Sequence, residues 1–235
     1  MKLIALLIMT FSTLAQSQDF SYPELNVVPR ATERIKMEVR SEEGHAWKSN
    51  MALQIASIMT LTTGFLGSSN IEKDKEDDYA AEVSMAVGAG WLAATVWASM
   101  NYRPYRSAYV KMRKMPYKTK REKLLKERIA EEKINSLRSI GKKIRWAGAI
   151  TNLAASLNLQ GAIDDETDEG KRAKTLASVS AAVSLASFFF PSRWEEVADE
   201  QEKYKKKIYS PVSLAPAIFN TNKGYASGLA LAWNF

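Results

Sequence analysis

The chain has no cysteine and a single histidine, His45, among its 235 residues. The first absence removes disulfides, Cys-ligated zinc and thiol nucleophiles together, and the second leaves little from which to build a transition-metal site or a His-based general base. No Gly-rich phosphate loop, His-Glu zinc motif or G-x-S-x-G elbow occurs. Glu42, Glu43 and His45 sit together in SEEGHAW, but on one turn of a charged helix ahead of Trp47 they read as surface residues. The acidic stretch IEKDKEDD at 71–78 lacks the glycine and closing glutamate of a calcium loop. No catalytic residue, metal site or cofactor is expected, and a non-enzymatic role follows. With 46% hydrophobic and 25% charged residues, composition fits an ordinary globular or mixed membrane protein.

What is there begins with MKLIALLIMTFSTLAQSQ: one lysine, a 13-residue apolar run from Leu3 to Ala15, and a small-x-small site at Thr13-Leu14-Ala15. The run is shorter than the roughly 17 residues that span a bilayer, so residues 1–15 read as a secretory signal peptide. The mature chain is then expected to begin near Gln16 and to work outside the cytoplasm, in the cell envelope. Without disulfides, its stability must come from packing or from a membrane.

Beyond the leader, two halves share one plan, and self-similarity of this kind precedes any local reading. Glu33-Arg34-Ile35 recurs as Glu127-Arg128-Ile129, and Phe65-Leu66-Gly67 aligns with Leu159-Gln160-Gly161. Each is followed by an acidic patch, then Val83-Ser84 or Val179-Ser180 in Ala-rich sequence, then Pro104 or Pro191. The predicted fold is mainly α: two duplicated helical hairpins with charged amphipathic lead-in helices, plus a C-terminal β-hairpin. The boundaries are 16–104 for the first repeat, 105–207 for a basic linker, the second repeat and a short charged helix, and 208–235 for the β-hairpin. Thr119 with Glu122, and Ser192 with Glu195, have capping-box spacing, and Ile134, Leu137, Ile140 and Ile144 recur at threes and fours.

Four apolar segments, at 51–67, 83–100, 146–163 and 173–190, sit at the lower length limit of a spanning helix. Membrane hairpins and a soluble four-helix core both fit. Polar stripes at Asn50, Gln54, Ser57 and Thr60, and at Asn152, Ser156 and Gln160, point one face of a helix at protein. In the second segment Ala86, Gly90, Ala94 and Ala98 form a small-residue ridge for close helix packing, the device favoured in lipid; Ala182 and Ala186 repeat it in the fourth. Trp91, Trp97 and Phe188–Phe190 weigh toward lipid.

The stretch from Asn101 to Arg145 holds 16 Lys and Arg against 4 Glu, whereas the turns 68–79 and 164–172 each hold 5 acids against 2 bases. The positive-inside rule would set the basic stretch in the cytoplasm, yet a cleaved signal peptide with two crossings per hairpin returns it outside. Entry into a membrane from the periplasmic side resolves the conflict. Arg103, Arg106, Lys111, Arg113 and Lys114 are the expected headgroup contacts, with Tyr102, Tyr105, Tyr109 and Tyr117 in an interfacial belt. The alternative is a solvated helix face with glutamates pairing locally. Tyrosines among bases superficially suggest nucleic acid, but export argues against it, and membrane lipids are the expected partner.

From Ser210 the composition changes to alternating large and small residues around the turn Asn220–Gly224. The arms match a tilted transmembrane strand in length. Ser227-Gly228-Leu229-Ala230-Leu231-Ala232-Trp233-Asn234-Phe235 resembles the C-terminal sorting signal of Gram-negative outer-membrane barrel proteins. The resemblance implies that Gly228, Leu229, Leu231, Trp233 and Phe235 are presented to an assembly machinery; it covers the last dozen residues, and nothing upstream supplies the further strands of a barrel. The expected role is structural or assembly-related in the envelope, with association to the outer membrane, a homo-oligomer or an outer-membrane partner. The alternatives are a secreted pore-forming protein that oligomerises in a target membrane, and a soluble periplasmic helical adaptor.

Overall fold

The computed structural model describes residues 22–45, 50–71, 79–164, 166–209, 212–221 and 224–233, with side chains of residue 45 and of 209 onward left out. The signal peptide expected at 1–15 lies outside the described residues, as do 72–78 of the first acidic turn. The protein is mainly helical: after a 3-10 turn at Pro23–Asn26 come α1 (Ala31–His45), α2 (Met51–Gly67), α3 (Ala80–Asn101), α4 (Pro104–Arg113), α5 (Lys120–Ala162), α6 (Asp168–Ser187) and α7 (Arg193–Tyr209).

Helix α5 organises the rest. Its 43 residues run about 65 Å at 1.5 Å per residue. Thr119 starts it with a closed capping box, its hydroxyl accepting from Glu122 N–H while the Glu122 carboxylate accepts from Thr119 N–H. One face then stays buried along the whole length, through Leu124, Ala130, Ile134, Leu137 and Gly141 in the first half and Ala149, Asn152, Ser156 and Leu159 in the second. The lead-in and third apolar segments are therefore one uninterrupted helix.

The two halves of α5 belong to different packing units. The second half pairs with α6, and this hairpin packs against the α2–α3 hairpin as a four-helix body. The first half packs with α1, α4 and α7. At the hairpin tips Ile71 and Ile163 form an isolated antiparallel bridge, and Asp164 N–H donates to Asn70 C=O at 3.0 Å. Two tips rich in acid are thus joined at one end, while the bases of α4 and early α5 lie with the unit at the other end.

The lower unit has the core of a water-soluble protein. Ile35, Tyr105, Met112, Ile134, Leu137, Trp194 and Val197 are buried together, each large apolar side chain contributing about 1.5–3 kcal/mol on burial. Charges close over it: Arg193 clamps Glu38 through Nε at 3.1 Å and a terminal nitrogen at 2.7 Å, and Arg34 reaches both Glu38 and Glu200. Glu38 and Arg34 are nearly inaccessible, and fork-shaped pairing with several hydrogen bonds offsets the cost of burying their charges.

The expected capping box at the start of α7 forms differently. Ser192 N–H and Ser192 Oγ both meet the same Glu195 carboxylate oxygen at 3.1 Å, so the hydroxyl donates instead of accepting from the helix. Arg145 explains this: it grips Glu195 from α5 at 3.0 and 2.8 Å, turning the glutamate into a hub that ties α7 to the long helix.

Candidate membrane-facing surface

In the four-helix body a buried apolar cluster of Ala81, Leu159, Ile163 and Ala177 is accompanied by an unusually large set of buried polar side chains. Ser57, Thr60, Ser84, Asn152, Ser156, Ser180 and Ser184 are fully buried. The large apolar residues face out on every helix: Ile55, Ile58 and Phe65 on α2, Val83, Val96 and Trp97 on α3, Ile150 and Leu157 on α5, Val179 and Leu185 on α6. Phe65 is 71% exposed and Trp97 65%. Isolated exposed apolar residues need no explanation, but such side chains on all four helices form a continuous apolar surface of the kind that meets lipid or another chain.

The interior is held by hydroxyls. Thr60 Oγ1 lies 3.4 Å from Ser156 Oγ and 3.3 Å from Ser180 Oγ, and these two serines are 2.8 Å apart. Ser84 Oγ donates to Ala155 C=O at 3.0 Å. A residue offset of 96 carries Thr60 to Ser156, and the same offset carries Ser84 to Ser180. The Thr60–Ser180 contact therefore has its counterpart in the bond from Ser84 to the backbone beside Ser156. The polar stripes expected on α2 and α5 lie largely inside, at Asn50, Ser57, Thr60, Asn152 and Ser156, with Gln54 and Gln160 half-buried.

The small-residue ridge chosen from sequence does not serve packing within the chain. Ala86, Gly90 and Ala94 are exposed, Ala98 is half-buried, and a Cβ built on Gly90 meets nothing within 4 Å. The ridge facing α2 is Ala81, Ser84 and Gly88, where a Cβ on Gly88 would stand 2.5 Å from Leu61 N and 2.7 Å from Ser57 O. On α6 the same choice recurs, with Ser180 and Ser184 buried and Ala182 and Ala186 exposed. Two ridges one step apart have similar size, but only one bears hydroxyls; Ser84 and Ser180 find partners inside, while Ser184 Oγ is buried without one. That criterion, polar content along the ridge, was available in the sequence.

Where the body meets the charged unit, aromatic residues gather. Trp146 stacks edge-on against Phe188 at 5.1 Å and Tyr102 against Trp194 at 5.7 Å, with Phe189 79% exposed beside them in sequence. Trp91 Nε1 donates to Thr151 Oγ1 at 2.7 Å, pinning α3 to α5. Tyr102 and Tyr117 are exposed as an interfacial belt requires, and Tyr109 is half-buried. Tyr105 departs from that expectation. It lies in the lower core at 1% exposure, and burial pushes its phenol well above its ordinary range.

Helix α4 positions the bases. Pro104 is its first residue, and Glu42 of α1 caps it across the gap, accepting from Tyr105 N–H and Arg106 N–H at 3.0 Å each. Glu42, read from sequence as a surface residue, is thus a cap supplied from another helix, which no local pattern marks. Burial pushes its carboxyl up, and those two hydrogen bonds only partly offset it. Docked by Pro104, Tyr105, Ala108 and Met112, α4 leaves Arg103 at its N-cap and Arg106, Lys111, Arg113 and Lys114 exposed.

At the boundary, burial pushes the Glu195 carboxyl up, but Arg145 and Ser192 outweigh it and hold the group below the usual carboxylate range. The side chains of Gly228, Leu229, Leu231, Trp233 and Phe235 lie outside the described residues. Among the described residues, one stretch, Ala80–Arg113, contains a helix long and apolar enough to cross a membrane by length and composition, and no cluster of three or more His, Asp or Glu is placed to hold a metal ion. The chain matches no family model and no curated protein.

Proposed function

We propose that this is a non-enzymatic, exported envelope protein with a structural or assembly role, built from two duplicated helical hairpins inserted in a membrane from the periplasmic side. The observation that carries the reading is the four-helix body, which buries hydroxyls and small residues beside a modest apolar cluster and presents large apolar side chains outward on all four helices, next to a unit with an ordinary apolar core. The matching contacts at an offset of 96 support the duplication. The exposed bases of α4 and the aromatic boundary support headgroup contact at the base of the body. Export rests on the apolar N-terminal run and its small-x-small site.

In this reading the C-terminal segment is a β-hairpin for outer-membrane association. The antiparallel register that sets Val212 opposite Trp233 and Leu214 opposite Leu231 supports it, because the alternation of large and small residues then runs in step along the two arms. Two strands alone are marginal in water, so the hairpin takes its remaining partners from an outer-membrane protein or from further copies of the chain. Separation of inner and outer membranes with carbonate extraction and N-terminal sequencing tests the proposal. The expected result is a processed N-terminus near Gln16 and a carbonate-resistant protein in the outer-membrane fraction. Recovery in the carbonate supernatant would support a soluble adaptor instead.

A second reading, a secreted pore-forming protein, is favoured by the outward ridge of Ala86, Gly90 and Ala94, which offers a second copy a close approach in lipid. It requires leakage of liposomes by the purified protein, and loss of that leakage in Gly90→Ile.

A further inference from the structure

Between the base of the four-helix body and the start of α7 lies a cavity of about 410 Å³, within the range of about 300–1,000 Å³ usual for small-molecule sites. Met51, Leu53 and Ile55 of α2, Val183 of α6, and Phe190 with Pro191 after it supply apolar walls. Its polar lining is Asn50, Arg145, Ser187, Ser192 and Glu196. All five lie near the level where the four-helix body gives way to the charged unit.

Three features fix the occupant. First, Met51, Ile55 and Phe190 are themselves among the exposed apolar residues, so the mouth opens sideways onto the surface assigned above to lipid, and its walls continue that surface inward. Second, the one base and the one acid of the lining cancel. Arg145 is engaged by Glu195 at 2.8 Å and by the Phe188 carbonyl, and Glu196 by Arg193 at 3.3 Å, so no uncompensated charge selects an anion. Third, Leu53, Ile55 and Val183 come from within the four-helix body, and Ser192 and Glu196 from the start of α7 in the charged unit, the order in which a bilayer lipid presents its chain and headgroup.

We infer that this cavity holds one acyl chain of a zwitterionic phospholipid, with its headgroup beside Arg145, Ser192 and Glu196. The inference rests on the membrane reading of the four-helix body and names a ligand for it. The bound chain fills the gap between α2 and α6 where no side chain does, and so stiffens the joint between the two units.

The test uses the full chain purified from membranes in mild detergent, exchanged against phosphatidylethanolamine or phosphatidylglycerol and examined by native mass spectrometry. The wild-type protein is expected to retain one phosphatidylethanolamine and to retain phosphatidylglycerol at least tenfold less. Val183→Trp and Ala186→Phe, which fill the cavity from a half-buried and an exposed lining position, are each expected to reduce that retention at least tenfold while the protein still fractionates with membranes. Retention of several lipids without preference by wild type and variants alike, or none by a membrane-bound wild type, overturns the inference and leaves the membrane reading standing. A wild-type protein recovered soluble and lipid-free overturns the membrane reading itself.

Discussion

Two glycines on α3, separated by a single alanine, face opposite environments and make opposite predictions. A methyl at Gly88 would press on the backbone of Leu61 and Ser57, and backbone cannot swing aside. Gly88→Ala is expected to cost about 1–3 kcal/mol, the usual penalty of overpacking. Gly90 has open space around it, so Gly90→Ala is expected to be neutral or to stabilise by about 0.5–1 kcal/mol through the better helix propensity of alanine. Thermal unfolding of both variants in the same detergent checks the pair, and equal effects would mean that α2 and α3 do not pack as described. Arg145 and Glu195 supply a second case. Both side chains are mostly buried, so Arg145→Met, which strands the carboxylate, is expected to cost about 3–5 kcal/mol. Because the folded state holds Glu195 below the usual carboxylate range, its contribution is present above that range and is lost as pH falls through the lower, folded value. Glu42 has the opposite sign: its raised carboxyl makes ionisation costly, so its contribution is lost as pH rises through its folded value. Melting temperatures across pH 3–7 are expected to lose the acid-side fall in Glu195→Gln and the rise-side fall in Glu42→Gln.

At the scale of elements, α4 and the C-terminal segment carry the separable predictions. Replacing Arg103, Arg106, Lys111, Arg113 and Lys114 together with glutamine leaves the docked face of Pro104, Tyr105, Ala108 and Met112 untouched. Affinity for anionic vesicles is expected to fall by about 1 kcal/mol per base lost, with a weaker dependence on salt, as cosedimentation would measure. Replacing Trp233 and Phe235 with serine is expected to misroute the protein; unchanged localisation would return these residues to ordinary packing. Elements were legible in sequence wherever one helix sufficed to define them. Thr119 and Glu122 marked the start of α5, the spacing of Ile134 and Leu137 marked its buried face, and the run into the third apolar segment followed. What was not legible depended on a second helix. The inward turn of Tyr105 and the capping of α4 by Glu42 arise from contacts between residues distant in sequence, which helical periodicity does not encode, whereas the ridge on α3 could have been chosen by its polar content. Ser192 shows the same limit: its spacing to Glu195 predicted a box, and Arg145, 50 residues from Glu195, redirected it.

The molecule as a whole joins two units whose surfaces differ in polarity. The lower unit buries Ile35, Met112, Leu137 and Trp194 and surrounds them with ion pairs. The four-helix body buries serines and threonines together with alanines, Leu53, Leu159 and Ile163, and presents isoleucine, leucine, valine and phenylalanine outward. Charge follows the same axis, with acids at the joined hairpin tips and bases around α4 and early α5. The sequence contained each ingredient, but it left membrane hairpins and a soluble bundle both open, because a ridge of alanines and a stripe of serines fit either one. The decisive measurement exploits the absence of native cysteine, which allows single cysteines at Ile58, Val96, Leu157 and Leu185 to be spin-labelled without background. With the full chain in lipid vesicles, collision rates at all four positions are expected to be high for oxygen and low for a water-soluble nickel chelate, and the reverse is expected at Arg113. Free access of the nickel chelate to the four body positions would contradict a lipid-facing surface.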